Sequence, residues 1–192
     1  GFNTHNAISI IIPNTYEFYW NTSAEEFFDR MLKEYKKFWT ANRLKMASDL
    51  GLDPKQVSVV ASIVEKETRQ KDEKPILAGI YLNRLEQGWK LEADPTLIYA
   101  ANDFTIKRVL NVHKQIVSPY NTYLNFGLPP GPICTPSIES IDAVLNRKKS
   151  DYMFFCARED FSGYHNYAAT YGEHKRNARI FQAALDRRGI KK

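Results

Sequence analysis

Two glutamates, Glu65 and Glu67, stand two residues apart in the segment 61–68, whose sequence is ASIVEKET. On a helix this spacing places their side chains about 200° apart, so the two carboxylates cannot serve one site. Ile63 and Val64 lie four and three residues before Glu67, which puts Glu67 on the apolar side of the helix and Glu65 off its centre. Of the two, Glu67 is therefore the candidate for chemistry.

We expect a raised pKa for the Glu67 carboxyl group for two reasons. Burial on an apolar face disfavours the charged form, and the last turn of a helix is the negative end of its dipole. A carboxylic acid that stays protonated near neutral pH can act as a general acid at a glycosidic oxygen. The alternative is structural: Glu67 marks the helix end or forms an ion pair with a buried arginine such as Arg84, because ion-paired carboxylates are common.

Capping residues, proline positions and hydrophobic periodicity predict the elements around this segment. We expect a short β-like run over 9–12, a late hairpin over 152–157 and 164–168, and helices over 22–50, 54–69, 75–87, 95–101, 136–146 and 170–189. The predicted order is one strand, several helices, and then a hairpin with a closing helix. This order is typical of an α+β fold. A regular βαβ alternation is not indicated. We therefore predict a helix-rich domain with a small β-sheet.

The composition excludes several classes of protein. The 192 residues are 43% hydrophobic and 26% charged, which is typical of one globular domain, here residues 1–192. No apolar run reaches the roughly 18 residues of a membrane-spanning helix. The net charge of +5 fits a polyanionic partner. Because no basic–aromatic motif or glycine-rich phosphate loop accompanies that charge, we expect no nucleic-acid partner.

A metal site is not expected either. Cys134 and Cys156 lack CxxC spacing and have no histidine neighbours at ligand spacing. His, Cys, Asp and Glu residues do not cluster in the sequence, so we predict no metal and no other cofactor. Free cysteines of this kind usually act as small buried hydrophobic residues, and a single disulfide between them is the alternative.

Five motifs and, after them, two histidines follow one another in order and resemble those of the endolytic murein transglycosylases, the YceG-like family. The first is the ASIVEKET segment. The others are YLNRL at 81–85, LEADPT at 91–96, the loops YNTY at 120–123 and GLPPGPI at 127–133, and finally the two histidines His165 and His174. The similarity extends from about Pro13 to about Phe181, which is nearly the whole chain.

The resemblance implies an enzyme that cleaves the β-1,4 bond between N-acetylmuramic acid and N-acetylglucosamine inside peptidoglycan strands. The 6-hydroxyl of the muramic acid attacks, so the product has a 1,6-anhydro end and no water is consumed. The family's catalytic acid is the glutamate directly before the threonine of the first motif, which is Glu67 here. Because the attacking hydroxyl is tethered, one carboxyl group suffices to donate a proton and then accept one, whereas a hydrolytic glycosidase needs two.

The same motifs supply residues that we predict to bind the substrate, namely Arg84, Asp94, Thr96, Tyr120, Asn121, Tyr123 and His165. Tyrosine and asparagine offer flat faces, amides and hydroxyls that suit N-acetyl sugars. Turn formation and core packing are the structural alternative for these residue types.

Three of these residues have more specific alternatives. Asp94 precedes a proline and is expected to be the N-cap of the helix that follows. For Arg84 we favour pairing with a buried acid over a contact with the lactyl carboxylate of muramic acid. His165 lies in the expected hairpin and is either a cleft residue or a structural histidine.

Family members usually carry an N-terminal membrane helix and a LysM-like portion, and neither is present here. We therefore expect this chain to be the catalytic portion of a single-pass membrane protein, with this domain on the periplasmic, wall-facing side. Its expected partners are glycan strands and the peptidoglycan synthases that build them, and its expected role is to end nascent strand elongation. The alternatives are a hydrolytic muramidase that uses Glu67 and Asp94, and a non-catalytic peptidoglycan-binding or scaffold module.

Overall fold

The computed structural model describes residues 1–106 and 108–189 of the chain. These residues form seven α-helices, two short 3-10 helices and one two-stranded antiparallel sheet, which confirms the α+β prediction. The 3-10 helices are Ala7–Ile10 and His113–Gln115. The other elements, in chain order, are α1 (Ala24–Phe38), α2 (Ala41–Asp49), α3 (Pro54–Glu67), α4 (Lys74–Glu86), α5 (Asp94–Ala101), α6 (Ile138–Leu145), β1 (Phe154–Ala157), β2 (His165–Ala168) and α7 (Tyr171–Arg187).

The central helix is α3, which carries Glu67 at its C-terminal end. It begins with a capping box in which the Asp53 side chain accepts hydrogen bonds from the backbone N–H groups of Lys55 and Gln56, at 2.8 and 2.9 Å. Every residue from 57 to 64 is buried, because α4, α5 and α6 all pack against this helix. The last turn of α3 therefore has a defined position at the edge of the core.

The predicted continuous helix over 22–50 is wrong, because the chain breaks at Trp39 and Thr40 into α1 and α2. Trp39 leaves helical geometry with φ −80° and ψ 69°, and its buried side chain packs beside Tyr35. Thr40 then caps α2 by accepting a hydrogen bond from the backbone N–H of Arg43 at 3.4 Å. Burial of the indole and packing of α2 on α3 and α6 override the local periodicity.

The β-like run predicted over 9–12 is also wrong. Ala7–Ile10 is a 3-10 helix, and in the part of the chain that the structure describes, β1 and β2 form the only sheet. Ile10 and Ile12 are buried without a partner strand. Short apolar runs do not distinguish a strand from a buried helical turn, since both place apolar side chains in the core.

The late hairpin is confirmed, with Ala157 of β1 opposite His165 of β2. Helix α4 fixes the residues just before β1, because Asn83 Nδ2 donates to the backbone oxygens of Ser150 and Tyr152 at 2.7 and 2.9 Å. Helix α7, which opens with a capping box as predicted, packs on both strands. No helix among the described residues combines the length and apolarity that crossing a membrane requires.

Candidate active site

A cleft of about 440 Å³ opens where the end of α3, the start of α5, the hairpin and the start of α7 meet. Five of the predicted site residues line it, and they come from five separate segments of the chain: Glu67, Arg84, Asp94, Tyr123 and His165. The volume is in the range of ordinary small-ligand pockets. The tertiary structure thus gathers most of the predicted site residues around Glu67.

Glu67 is the last residue of α3 and is partly exposed at the cleft. Burial raises the pKa of its carboxyl group to about 7. The hydrogen bond from Tyr81 and the positive charge of Arg84 act against this rise, whereas the negative charge of Asp94 adds to it. The Tyr81 hydroxyl donates to Glu67 Oε1 at 2.5 Å, which leaves Oε2 as the oxygen without this donor. A carboxyl group with a pKa near 7 exchanges its proton readily at physiological pH, as a general acid and base must.

Glu65 has the opposite electrostatic environment. Partial burial alone would raise its pKa, but hydrogen bonds from Ser137 and Ser140 and the charge of Lys74 lower the pKa to about 2. Ser137 Oγ lies 2.6 Å and Lys74 Nζ 3.3 Å from Glu65 Oε2. This carboxylate is permanently ionised and fastens α3 to the start of α6. The two carboxyl groups therefore differ in pKa, and the choice of Glu67 as the catalytic residue stays a prediction.

The predicted N-cap role of Asp94 is wrong. Asp94 is the first residue of α5, the N-cap position belongs to Ala93, and no side chain of the described residues caps this helix end. The exposed carboxylate of Asp94 instead accepts a hydrogen bond from the Tyr123 hydroxyl at 2.6 Å. Burial and the hydrogen bond to Asp94 both raise the pKa of Tyr123, so this phenol stays protonated and donates to Asp94.

His165 is held by Glu73, a residue that the sequence reasoning missed. Glu73 is 1% exposed and accepts hydrogen bonds from the backbone N–H of His165 at 2.7 Å, from its Nδ1 at 3.0 Å and from the Tyr167 hydroxyl. Burial would raise the pKa of Glu73, but the bonds from Tyr167 and His165 lower it. An ionised Glu73 requires a proton on Nδ1, which fixes the orientation of the imidazole ring.

Arg84 has a structural role in the described part of the chain. Its Nε donates to the backbone oxygen of Met153 at 2.8 Å and its Nη1 to that of Leu91. The favoured pairing of Arg84 with a buried acid is therefore wrong, because among the described residues its guanidinium binds these backbone oxygens and forms no ion pair with Glu67 or another carboxylate. The charge of Arg84 nonetheless lowers the pKa of Glu67. Arg84 fastens α4 to the residues before β1 and before α5, and both segments border the cleft.

Three predicted site residues do not line the cleft. Thr96 is fully buried and bonds to Ala93 O and to the Thr122 hydroxyl, while Tyr120 packs against Tyr99 with ring centroids 4.6 Å apart.

Asn121, the third, is also fully buried. Its Nδ2 donates to the backbone oxygens of Lys114 and Ile116 at 3.0 and 2.8 Å, and its Oδ1 accepts from the backbone N–H of Tyr123 at 2.9 Å. Asn121 thus positions two neighbours, Lys114 and Tyr123, that do line the cleft.

The cleft also contains residues that no spacing rule had singled out. Glu92 lines it with a φ of 49°, a left-handed conformation that is strained for a residue other than glycine. Lys114 Nζ lies 4.6 Å from the centre of the Tyr123 ring, within the range of a cation–π contact. A non-glycine residue with strained backbone at a cleft is a frequent sign of a functional site, yet a sequence does not reveal its φ angle.

Within residues 1–106 and 108–189, no three His, Cys, Asp or Glu side chains are grouped as a metal site would require. Cys134 and Cys156 are free thiols and are not joined in a disulfide. Burial raises the pKa of both, which favours the unreactive thiol form.

Comparison with known proteins gives a consistent result. The YceG-like family profile matches residues 2–180. The chain is 33% identical over 157 residues to an endolytic murein transglycosylase of Bacillus subtilis (strain 168), a match that covers 81% of this chain and 43% of that protein. It is 30% identical over 171 residues to a protein of the same name from Streptococcus pneumoniae serotype 2 (strain D39 / NCTC 7466), covering 87% of this chain and 31% of that protein.

A crystal structure of a yceG-like protein from Listeria monocytogenes has a similar fold, with a TM-score of 0.76 and 31% sequence identity. That match covers 88% of this chain and 54% of the Listeria chain. The present chain spans less than half the length of the two curated relatives. From the extent of the profile match and the shared fold, this chain belongs to the YceG-like family.

Proposed function

We propose that this chain carries the catalytic site of an endolytic murein transglycosylase, with Glu67 as its general acid and base. The observation that carries the proposal is the Glu67 carboxyl group, which has a pKa of about 7 at the wall of a cleft of suitable size. The relatives from Bacillus subtilis and Streptococcus pneumoniae are named endolytic murein transglycosylase, which supports the same activity here.

In the proposed reaction, protonated Glu67 donates its proton to the glycosidic oxygen that links muramic acid to N-acetylglucosamine. The bond from C1 of the muramic acid to that oxygen breaks, and the N-acetylglucosamine leaves with a free 4-hydroxyl. The 6-hydroxyl oxygen of the same muramic acid bonds to C1, and its proton passes to the Glu67 carboxylate. The acid is thereby regenerated, and the products are a 1,6-anhydro end and a new 4-hydroxyl end.

The surroundings of Glu67 suit both halves of this cycle. Burial favours the neutral acid before the first proton transfer, and the hydrogen bond from Tyr81 steadies the carboxylate after it. Intramolecular attack makes the second carboxyl group of a hydrolytic glycosidase unnecessary. The charge on Asp94 still acts on Glu67 across the cleft, and a hydrolytic muramidase that uses both residues is the competing proposal.

The test is digestion of purified peptidoglycan, with mass spectrometry of the product ends. We expect 1,6-anhydro-muramic ends from the wild-type protein and a loss of about 100- to 10,000-fold in rate for Glu67→Gln, the usual contribution of general acid–base catalysis. Glu25→Gln, which removes a carboxylate from the exposed start of α1, is the matched control and should keep full activity.

Each other outcome identifies a competing function. Reducing muramic ends would identify a hydrolase, and Asp94→Asn should then abolish cleavage as well. Binding of strands by the wild-type protein without any cleavage would identify a binding or scaffold module. Unchanged activity in Glu67→Gln would contradict the assignment of the acid.

The proposal also includes the cellular setting. We propose that residues 1–192 act as one catalytic unit on the wall-facing side of a membrane, that they end the elongation of nascent glycan strands, and that peptidoglycan synthases are their protein partners. Depletion of the protein should then lengthen the glycan strands isolated from the cell. Strands of unchanged length would contradict this role while leaving the proposed chemistry intact.

A further inference from the structure

Four aromatic side chains from three parts of the chain converge at one side of the cleft. Phe154 of β1 is their centre, because its ring centroid lies 5.7 Å from that of Trp89, 5.9 Å from Tyr171 and 5.4 Å from His174. Phe154, Tyr171 and His174 line the same cleft as Glu67, and Trp89 adjoins Phe154. We call these four residues the aromatic wall.

The aromatic wall leaves much of its surface in solvent. Tyr171 is 62% exposed and Trp89 is 45% exposed. The rings of Phe154 and His174 are stacked, with an interplanar angle of 21°, so they form a firm base for the two exposed rings. Aromatic side chains usually bury most of their surface, and an exposed apolar group beside a cleft is a typical mark of a binding site.

We propose that the aromatic wall binds a sugar ring of the glycan strand next to the bond that Glu67 protonates. A pyranose ring presents a face of C–H groups that packs on an aromatic ring, while the hydroxyls at its edge remain hydrated or meet polar groups. This inference rests on the proposed function, because a strand that is cut internally must continue past Glu67 in both directions. The wall shares the cleft with Glu67, so a stacked sugar fixes the register of the strand.

The charges in the cleft favour a sugar over a nucleotide, the other common ligand of exposed aromatic rings. Among residues 1–106 and 108–189, the lining has three carboxyl groups and two basic side chains, namely Glu67, Glu92 and Asp94 against Arg84 and Lys114. A site for nucleic acid needs an excess of positive charge to neutralise phosphates. The N-acetylglucosamine ring of the strand carries no charge and has no such requirement.

The test measures binding without cleavage, in the Glu67→Gln protein, by calorimetry with soluble peptidoglycan strands from which the stem peptides have been removed. Adding Tyr171→Ala or Trp89→Ala is expected to weaken binding about three- to tenfold, as the loss of one aromatic contact does. Tyr171→Phe keeps the ring and should bind as its parent does. Trp20→Ala is the matched control, because Trp20 is 98% exposed and does not line the cleft.

Three results would overturn the inference. The first is unchanged binding in both alanine variants, and the second is a Tyr171→Phe protein that binds as weakly as Tyr171→Ala, since the hydroxyl and not the ring would then be responsible. The third is a Glu67→Gln parent that does not bind the strands at all. Reducing ends in the cleavage assay, by contrast, would overturn only the proposed reaction and leave the stacking site standing.

Discussion

Replacing Tyr81 by phenylalanine removes the hydroxyl that donates to Glu67 Oε1 at 2.5 Å. Tyr81 is fully buried, and its ring packs edge-on against Phe155 with centroids 6.0 Å apart. Phenylalanine keeps this packing, so we expect the fold to survive with a loss of about 1 kcal/mol, the net value of a typical hydrogen bond. The informative consequence is for the protonation of Glu67.

The Tyr81 hydroxyl stabilises the charged form of Glu67 and so opposes the burial that raises its pKa to about 7. Without this hydroxyl the neutral form is favoured further, and the pKa rises. Hydrogen bonds to charged groups contribute roughly 1.5–3 kcal/mol, and about 1.4 kcal/mol corresponds to one pH unit in a pKa. We therefore expect the pKa of Glu67 in Tyr81→Phe to be about one to two pH units higher.

The assay is kcat/KM for strand cleavage, measured from about pH 5 to about pH 10. A general acid must be protonated, so the rate falls as pH rises through the pKa of the free enzyme. In Tyr81→Phe this alkaline limb should move to higher pH by the same one to two units. An alkaline limb that stays in place, or moves to lower pH, would refute the role of Tyr81 in setting this pKa.

The matched control is Tyr16→Phe. It removes another tyrosine hydroxyl, which donates to the backbone oxygen of Ile12 at 2.5 Å and does not line the cleft. Some stability should be lost in this variant, but its pH profile should equal that of the wild-type protein. If the alkaline limb of kcat/KM moved as far in Tyr16→Phe as in Tyr81→Phe, general destabilisation and not the lost bond to Glu67 would explain the shift.

Three further predictions concern the free energy of unfolding and are measured with urea. In the folded protein, burial raises the pKa of Glu67 from its ordinary value of 4.5 to about 7, so the folded state loses stability as pH rises through this range. The free energy of unfolding of Glu67→Gln minus that of the wild-type protein should therefore be about 1–3 kcal/mol larger at pH 8 than at pH 4. A difference that does not depend on pH would contradict this. Glu92 has a φ of 49°, so Glu92→Gly should be about 1 kcal/mol more stable than Glu92→Ala, and equal stability would show that the backbone is unstrained. A Cβ at Gly131 would lie 1.8 Å from the backbone oxygen of His5, so Gly131→Ala should lose about 1–3 kcal/mol. Gly172→Ala in α7, whose Cβ would lie 4.0 Å from Thr170 Oγ1, an ordinary contact distance, should lose nothing.

The elements that the sequence predicted well are those with local signals. The N-cap residue Asp53 and the proline that follows it place the start of α3, because the Asp53 side chain bonds to backbone N–H groups within three positions. Trp39 shows the limit of such signals, since its burial breaks a helix whose periodicity continues across it. Asp94 shows a second limit of local signals. Its carboxylate accepts a hydrogen bond from Tyr123, 29 positions away, and does not cap the helix end beside it.

The choice of Glu67 over Glu65 needed only the sequence, because helical periodicity alone separates the two side chains. The pKa of Glu67 needed the tertiary structure, since burial by packed helices raises it and the hydroxyl of Tyr81 on α4 opposes that rise. The same holds for Glu73, which holds His165 from 92 positions away. Contacts of this kind depend on how helices and hairpin pack, and the spacing of residues along one segment carries no record of them.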